Sequence, residues 1–206
     1  MTTPQQHFAP NPMYVPRFFM RQRITMMVNQ YQIHPANPDG SEGPLLAFAQ
    51  QKRMAFKEEV TFYADAAKTR PVFSFKARKR LDLGSGYDVF DEVGRPLGHF
   101  RKEFGKSLLR STWSLSGAGP EATGTERRLS VAILRRVWEL IPYLGEIWIP
   151  FVFHFDFLDR ATGQPVMTSE RKKSIRDRYT VDVPDQRLDF RLAAAMAVAL
   201  DALQSR

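Results

Sequence analysis

The residues of this chain with the clearest potential for chemistry are cations at every second position of a predicted strand. The strand covers Val72–Leu83, and one of its faces carries Lys76, Arg78 and Arg80, about 6.6 Å apart along an extended backbone. Lys79 interrupts the apolar positions of the opposite face. A row of cations is typical of a surface that binds phosphate oxygens, each contributing roughly 1 kcal/mol near an anionic membrane. Charge rows also occur as plain solvated surface that protects a strand edge, so both interpretations stay open.

A second basic cluster follows a later predicted hairpin. It consists of Arg171, Lys172 and Lys173, and it extends the first row if the fold brings the two strands together. The formal net charge of +8 favours an anionic partner, for which acidic membrane surfaces and nucleic acid are the two candidates. A protein with a basic surface and no such partner is the other interpretation.

Three carboxylates near the C-terminal end offer oxygen ligands for Ca²⁺. They are Asp182, Asp185 and Asp189. The cluster lacks the ligand density, the glycine and the terminal bidentate glutamate of a calcium loop. Helix capping by Asp185 explains part of the pattern without a metal. We therefore expect no metal and no cofactor, with calcium at these three residues as a weak alternative.

The sequence contains no recognisable catalytic constellation. The four histidines are scattered without the spacing of metal ligands, and Gly84–Gly86 lacks the lysine of a P-loop. The neighbouring carboxylates Glu58 and Glu59 point to opposite faces of a strand. Cysteine is absent, which excludes disulfides and thiolate chemistry. We predict that the protein is not an enzyme.

A hairpin pattern that recurs four times supplies the strands that carry these charges. In each copy aromatic or β-branched residues lead to an aspartate, then to a proline followed by leucine or valine, then to a basic cluster. The four proline pairs are Pro44–Leu45, Pro71–Val72, Pro96–Leu97 and Pro165–Val166. Repeated hairpins predict a closed antiparallel sheet, because closure removes exposed edges.

The C-terminal segment is predicted to be a buried helix over residues 187–204, with Asp185 as its N-cap and Asp189 in its first turn. Leu192–Leu200 carries no polar residue on any side. Such a helix lies in a core or spans a bilayer. Spanning needs about 20 apolar residues, and Asp201 interrupts the run well before that. We therefore predict a mainly β fold, a closed antiparallel barrel around this helix, with no transmembrane span.

The rest of the chain is expected to belong to one domain. Residues 1–16 are polar and rich in proline, which predicts a disordered tail. Residues 17–206 are long enough for a single domain with a sizeable core. A short helix is predicted over Ser130–Leu140. The aromatic-rich stretch Trp138–Phe153 suits core packing more than a membrane boundary.

Several of these segments resemble one known family. Tyr87–Gly98 is similar to the central segment of the LURP-one-related proteins, which belong with phospholipid scramblases and the tubby C-terminal domain. Lys106–Trp113 and the closing helix, Asp189–Leu203, resemble the same family. The resemblance implies a tubby-like barrel of about twelve strands around the C-terminal helix. It also implies a non-enzymatic domain whose relatives contact membrane phospholipids, in tubby-like domains through basic strand residues.

We therefore expect a binding module that associates reversibly with anionic phospholipid surfaces, located in the cytoplasm and peripheral at the membrane. The expected head-group ligands are Lys76, Arg78, Lys79, Arg80, Arg171, Lys172 and Lys173. The alternatives are a scramblase-like activity, nucleic-acid binding, and a cytosolic protein-interaction domain. Nucleic acid is the weaker partner, because no recognition helix or RNA platform is apparent. A carrier that holds a lipid tail in place of the helix is a further alternative.

Overall fold

The computed structural model describes residues 11–24, 28–52, 59–78, 86–103, 111–127, 154–172 and 178–204. These residues form twelve strands and one C-terminal helix. The strands are β1 (Arg17–Ile24), β2 (Val28–Pro35), β3 (Ala47–Lys52), β4 (Glu59–Tyr63), β5 (Pro71–Ala77), β6 (Tyr87–Asp91), β7 (Pro96–Glu103), β8 (Thr112–Gly117), β9 (Ala122–Glu126), β10 (His154–Asp159), β11 (Pro165–Lys172) and β12 (Arg178–Asp182), and the helix is α1 (Phe190–Gln204). The predicted helix at Ser130–Leu140 and the stretch Trp138–Phe153 lie outside the described residues.

The twelve strands form a closed antiparallel barrel in which every strand pairs with its neighbours in the chain. The first and last strands complete the circle, with Phe18 opposite Val181 and Arg21 opposite Arg178. This arrangement confirms the predicted fold and is consistent with a tubby-like architecture. Closure follows from the hairpin repeat, since each strand pairs with the next and no edge remains exposed.

The turns at one end of the barrel explain why an aspartate stands in every copy of the hairpin pattern. The Asp91 carboxylate accepts hydrogen bonds from the backbone N–H groups of Val93 and Arg95, at 3.0 and 2.7 Å. Gly94 follows with a φ of 82°, a conformation that glycine adopts without strain. Asp39, Asp65 and Asp159 accept backbone N–H groups in the same way. The aspartate is therefore a turn-forming residue.

The helix α1 fills the barrel. Every residue from Leu192 to Ala202 is at most 7% exposed, which confirms the predicted burial. Its first residue, Phe190, packs edge-on against Phe18 of β1, with ring centroids 5.4 Å apart. Half of the buried helix residues are alanines, whose small side chains let the strands approach the helix axis closely. At Gly98 of β7 a Cβ atom would lie 2.9 Å from the Leu192 side chain, so the helix and strand contact each other without room for a larger residue.

The helix begins three residues later than predicted. The backbone N–H of Arg191 donates to the Asp189 carboxylate at 2.8 Å, and the N–H of Ala193 donates to the Asp189 carbonyl. Asp189 is therefore the N-cap. The carboxylate of Asp185, the predicted cap, accepts the N–H of Arg187 in a turn before the helix. Two aspartates four residues apart each suit a cap, and the sequence pattern does not distinguish them.

Residues 11–16, which belong to the segment predicted as a disordered tail, contact the barrel and the start of the helix. The N–H of Phe190 donates to the carbonyl of Met13, and the N–H of Val183 donates to that of Pro16. The Tyr14 hydroxyl donates to the Val183 carbonyl at 2.8 Å. The first backbone N–H groups of a helix lack intrahelical acceptors. The carbonyl of Met13 supplies an acceptor for one of them, the N–H of Phe190.

Enlarging a buried helix residue should destabilise the protein. In Ala195→Leu the extra carbons meet a fully packed wall, because Ala195 is 0% exposed. We expect the free energy of unfolding to fall by about 1–3 kcal/mol, measured by urea denaturation. The matched control is Ala161→Leu in the exposed turn after β10, which should change stability by less than about 0.5 kcal/mol. Equal stability of the two variants would contradict a tightly filled barrel.

Candidate anion-binding surface

The directions of the strands distinguish the two ends of the barrel. Phe18, near the start of β1, contacts the start of α1, whereas Gln22, farther along β1, bonds to Asp201 near the end of α1. The odd-numbered strands therefore run in the same direction as the helix, since neighbours are antiparallel. We call the end of the barrel where the odd-numbered strands and α1 finish the C-terminal rim, and the opposite end the turn end.

Basic positions from separate hairpins lie at the same end of the barrel, the C-terminal rim. The return strands of the four hairpins are β3, β5, β7 and β11, all odd-numbered, so their basic ends lie at the same rim. The basic positions at or next to these strand ends are Lys52, Lys76, Arg78, Arg101, Lys102, Arg171 and Lys172. Antiparallel pairing thus places the basic positions of a sequence repeat around one end of the barrel.

Lys76 and Arg78 lie exposed on the outer wall at this rim, as their alternation predicted. Each has a carboxylate partner. The Lys76 ammonium is 3.7 Å from a Glu59 carboxylate oxygen, and the Arg78 guanidinium donates to Asp88 at 2.7–3.0 Å. The hydrogen bonds to Asp88 raise the pKa of Arg78, against a smaller effect of burial. Lys79 and Arg80 lie outside the described residues.

The structure adds Arg101 to this cluster. Arg101 lies exposed on β7, separated from β5 by β6 alone. His99, on the same strand, has a lowered pKa because of burial and then the positive charge of Arg78, with a smaller contribution from Arg101. The two guanidinium groups therefore act on a common region of the outer wall. We call Lys76, Arg78 and Arg101 the β5–β7 cluster.

The two basic residues that end β11 lie on opposite faces of the strand. Lys172 is exposed, whereas Arg171 is only 9% exposed and its guanidinium carbon lies 5.9 Å from the centre of the Tyr179 ring. Side chains alternate along a strand, so the pair cannot share a surface, and Arg171 faces the interior. Lys173 lies outside the described residues.

The structure does not join the two predicted clusters into one continuous patch. Strands β5 and β11 lie six positions apart around a barrel of twelve, which places Lys76 and Lys172 on opposite sides. They share the C-terminal rim only. A joined surface requires that the two basic strands be neighbours in the sheet. The hairpin repeat predicts that each strand pairs with the next, but it does not specify how far apart two hairpins lie around the closed barrel.

Sequence reasoning missed three residues that surround Lys172. Arg21 of β1 and Arg178 of β12 both bond to the carboxylate of Glu42, from the connection between β2 and β3. Arg17, Arg21 and Arg23 alternate along β1, a signal that marks an outward basic face. Arg21 and Arg178 are far apart in the sequence, so no local pattern predicts that they lie opposite each other. Pairing of the first and last strands brings them together.

The three aspartates considered for calcium each bond to an arginine. Asp182 pairs with Arg17. The other two pair within the chain segment before the helix and its first turn, Asp185 with Arg187 at 2.6 Å and Asp189 with Arg191 at 2.8 Å. The part of the chain that the structure describes contains no group of acidic residues and histidines arranged to hold a metal ion. These carboxylates serve turns, a helix cap and barrel closure.

A buried carboxylate fixes the end of the helix inside the barrel. Asp201 is 5% exposed and accepts hydrogen bonds from Gln22 at 2.6 Å, from Tyr31 at 2.9 Å and from the Tyr179 hydroxyl. Burial raises the pKa of Tyr31, and the adjacent Asp201 raises it further. Strands β1, β2 and β12 thereby hold one side chain of α1, so the contact connects the closure strands to the helix.

A closed barrel of twelve antiparallel strands around a single C-terminal helix is consistent with the tubby-like fold. Residues 46–201 match the model of the LURP-one-related family, which is more than half of the chain. The protein therefore belongs to the LURP-one-related family. No curated protein matches the chain. Among the described residues, no helix is both long enough and apolar enough to cross a membrane.

Removing the Asp201 carboxylate should destabilise the protein strongly. Asp201→Ala leaves three buried donors without their acceptor, and each such group costs about 1–3 kcal/mol. We expect the free energy of unfolding to fall by about 3 kcal/mol or more. Asp182→Ala is the matched control, since it removes an exposed ion pair and should cost less than about 1 kcal/mol. Urea denaturation in which the two variants lose equal stability would contradict an anchoring role for Asp201.

High pH should weaken the fold through Tyr31. Its hydroxyl is held protonated in the folded protein, so the unfolded chain loses that proton first. The free energy of unfolding then falls above about pH 10, by up to ~1.4 kcal/mol per pH unit. Tyr31→Phe should remove this component of the slope, as measured by denaturation at a series of pH values. Identical slopes above pH 10 in the two proteins would contradict the assignment, and the slope between about pH 7 and 8.5, below the ordinary tyrosine range, is the internal control.

Proposed function

We propose that this LURP-one-related protein is a non-enzymatic binding domain that associates reversibly with anionic phospholipid surfaces through its C-terminal rim. The observation that carries the proposal is the convergence of basic strand ends from separate hairpins at that rim. The β5–β7 cluster lies on one side and Lys172 on the other. A flat anionic surface touches the whole circumference of a barrel end, so it engages both sides at once.

The existing ion pairs of the rim are compatible with lipid binding. The side chains of Lys76 and Arg78 are 58% and 41% exposed. Those of their partners, Glu59 and Asp88, are 49% and 32% exposed. Exposed pairs contribute about 0–1 kcal/mol, so a lipid phosphate replaces a carboxylate at little cost. Each cation adds roughly 1 kcal/mol near an anionic membrane. The resulting association is weak and sensitive to salt, as reversible attachment requires.

A membrane partner accounts for the arrangement better than nucleic acid does. The cations lie around the end of a barrel, whereas non-specific nucleic-acid binding uses a groove or channel that follows one backbone. The chain also has no recognition helix or RNA-binding motif in its sequence. The absence of cysteine fits a reducing compartment, so the proposal locates the protein in the cytoplasm, peripheral at the membrane.

Vesicle co-sedimentation tests the proposal. The double variant Lys76→Glu/Arg78→Glu should lose at least about tenfold in affinity for vesicles of phosphatidylcholine and phosphatidylserine, because two attractive charges become repulsive. The matched control is Lys68→Glu/Arg70→Glu, which makes the same charge change at the other end of the same hairpin. Wild-type binding should also weaken between about 0.1 and 1 M salt, as the Debye length shrinks from ~10 to ~3 Å.

Two outcomes would overturn the proposal. Equal loss of vesicle binding in the rim variant and the turn-end control would mean that only net charge matters. Absence of vesicle binding by the wild type at low salt, together with tight binding of duplex DNA, would make nucleic acid the partner. Circular dichroism of each variant checks that the fold is retained.

A further inference from the structure

Two neighbouring pairs of amide side chains lie across the pairing of β2 and β3, and they differ in their hydrogen bonds. Gln30 lies opposite Gln50, and Asn29 lies opposite Gln51. In the first pair, Gln30 donates to the Gln50 amide oxygen at 3.3 Å. In the second pair, the amide oxygens of both residues are buried, and no described residue donates a hydrogen bond to either of them. Opposite amides are thus able to bond to each other here, but the second pair leaves both acceptors open.

The second pair points into the barrel. Gln51 alternates along β3 with Ala47 and Ala49, and Asn29 alternates along β2 with Tyr31, and these three neighbours are 0% exposed. Gln51 itself is 7% exposed. Most buried polar atoms in folded proteins have a hydrogen-bond partner, and burial without one is unfavourable. Two unpartnered oxygens on residues that lie directly opposite each other therefore indicate a ligand that both of them contact.

The orientation of the Asn29 amide is set by Tyr31. A side-chain hydrogen bond from Asn29 lowers the pKa of Tyr31, against the larger effects of burial and of Asp201, which raise it. A bond that favours the ionised hydroxyl comes from a donor. The N–H₂ group of Asn29 therefore faces Tyr31, and its Oδ1 atom is left as the acceptor that lacks a partner.

The two open oxygens lie level with the last turn of α1. Tyr31 bonds to Asp201 at 2.9 Å, and Asn29 is the next inward position toward the C-terminal rim, about 6.7 Å farther along β2. The helix continues past Asp201 to Gln204, which is about 4.5 Å of helix. The last carbonyl groups of a helix have no intrahelical donors and carry partial negative charge. No basic residue offsets that charge in the last turn of α1.

The charges that face this part of the interior favour a cation. Asp201 accepts hydrogen bonds from three neutral groups, so its carboxylate adds negative charge next to Asn29. Three other charged side chains point inward near the C-terminal rim, and each lies three or more strand positions from β2 and β3. They are Arg171 on β11, at the face of the Tyr179 ring, Lys102 on β7 and Glu126 on β9.

We propose that an alkali-metal cation, potassium or sodium, binds between Asn29 and Gln51 at the C-terminal end of α1. Hard cations take oxygen ligands, which include the carbonyl groups of amide side chains and of the backbone. The site suits a monovalent ion because neutral oxygens predominate, whereas Ca²⁺ sites gather several carboxylates. The ion connects β2 and β3 to the last turn of α1 and so helps to hold the helix in the barrel. This inference does not depend on the proposed association with membranes.

Thermal unfolding in potassium, sodium and choline chloride of equal ionic strength tests the site. Choline is too large to fit between two buried side chains, so it controls for screening. An alkali ion at ten times its dissociation constant raises the ratio of folded to unfolded protein about elevenfold, which should raise Tm by about 3–6 °C over choline chloride. Gln51→Met keeps the length of the side chain without the amide oxygen and should lose this increment. The matched control, Gln50→Met on the outer face of the same strand, should keep it.

A charged variant gives a second measurement that does not depend on loss of stability. Gln51→Glu should bind the ion at least about tenfold more tightly, because a full negative charge replaces a dipole beside the cation. The concentration of alkali salt that gives half of the Tm increment measures this change. An unchanged or weaker affinity in Gln51→Glu would contradict the proposal.

The outcomes of the salt comparison are distinct. A higher Tm in either alkali salt, abolished by Gln51→Met and retained by Gln50→Met, supports the site, and the salt with the larger effect identifies the ion. Equal Tm values of the wild type in all three salts overturn the proposal, and the two oxygens then bond to ordered water. An increment that Gln51→Met retains in full places the ion elsewhere and also overturns it.

Discussion

The helix α1 must be shielded from water on every side, and the rest of the structure depends on this requirement. A helix without a polar face cannot lie on a protein surface, and no single sheet covers it completely. A closed barrel does so, with alternate side chains pointing inward. The alanines of α1 set the radius at which the strands pack, and Gly98 allows the closest approach, against Leu192. Asp201 adds the polar contacts that fix one end of the helix relative to β1, β2 and β12.

Closure by consecutive antiparallel strands has a second consequence, which bears on function. The turns of the four hairpin repeats lie at one end of the barrel, and their return strands finish at the other. The aspartate of each repeat therefore accepts hydrogen bonds within the hairpin turn, as Asp91 does from two backbone N–H groups. The described basic positions of the repeats, in contrast, lie at the C-terminal rim. The hairpin repeat thus determines both the strand pairing and the positions of the basic residues at one end of the barrel.

Cations on the outer wall of the barrel are held in two different ways. Lys76 and Arg78 pair with exposed carboxylates on neighbouring strands, and such pairs are weak. Arg21 and Arg178 share the carboxylate of Glu42, whose side chain is only 15% exposed. The second arrangement connects the first and last strands to the segment between β2 and β3, whereas the first leaves its cations exposed to solvent.

The sequence by itself determined the hairpin strands, the buried helix and the outward position of Lys76 and Arg78, because these follow from periodicity and from short-range turn chemistry. The family was indicated by the resemblance of whole segments such as Tyr87–Gly98. It did not distinguish Asp189 from Asp185 as the helix cap, since both precede the helix at suitable spacing. It also could not place Arg171 inside the barrel beside Tyr179, because an alternating strand has two faces and charge alone favours the outer one. Only the tertiary structure decided that Lys76 and Lys172 lie on opposite sides, and that Arg21, Glu42 and Arg178 meet. Those positions depend on closure between the first and last strands, an interaction across more than 150 residues that no local pattern encodes.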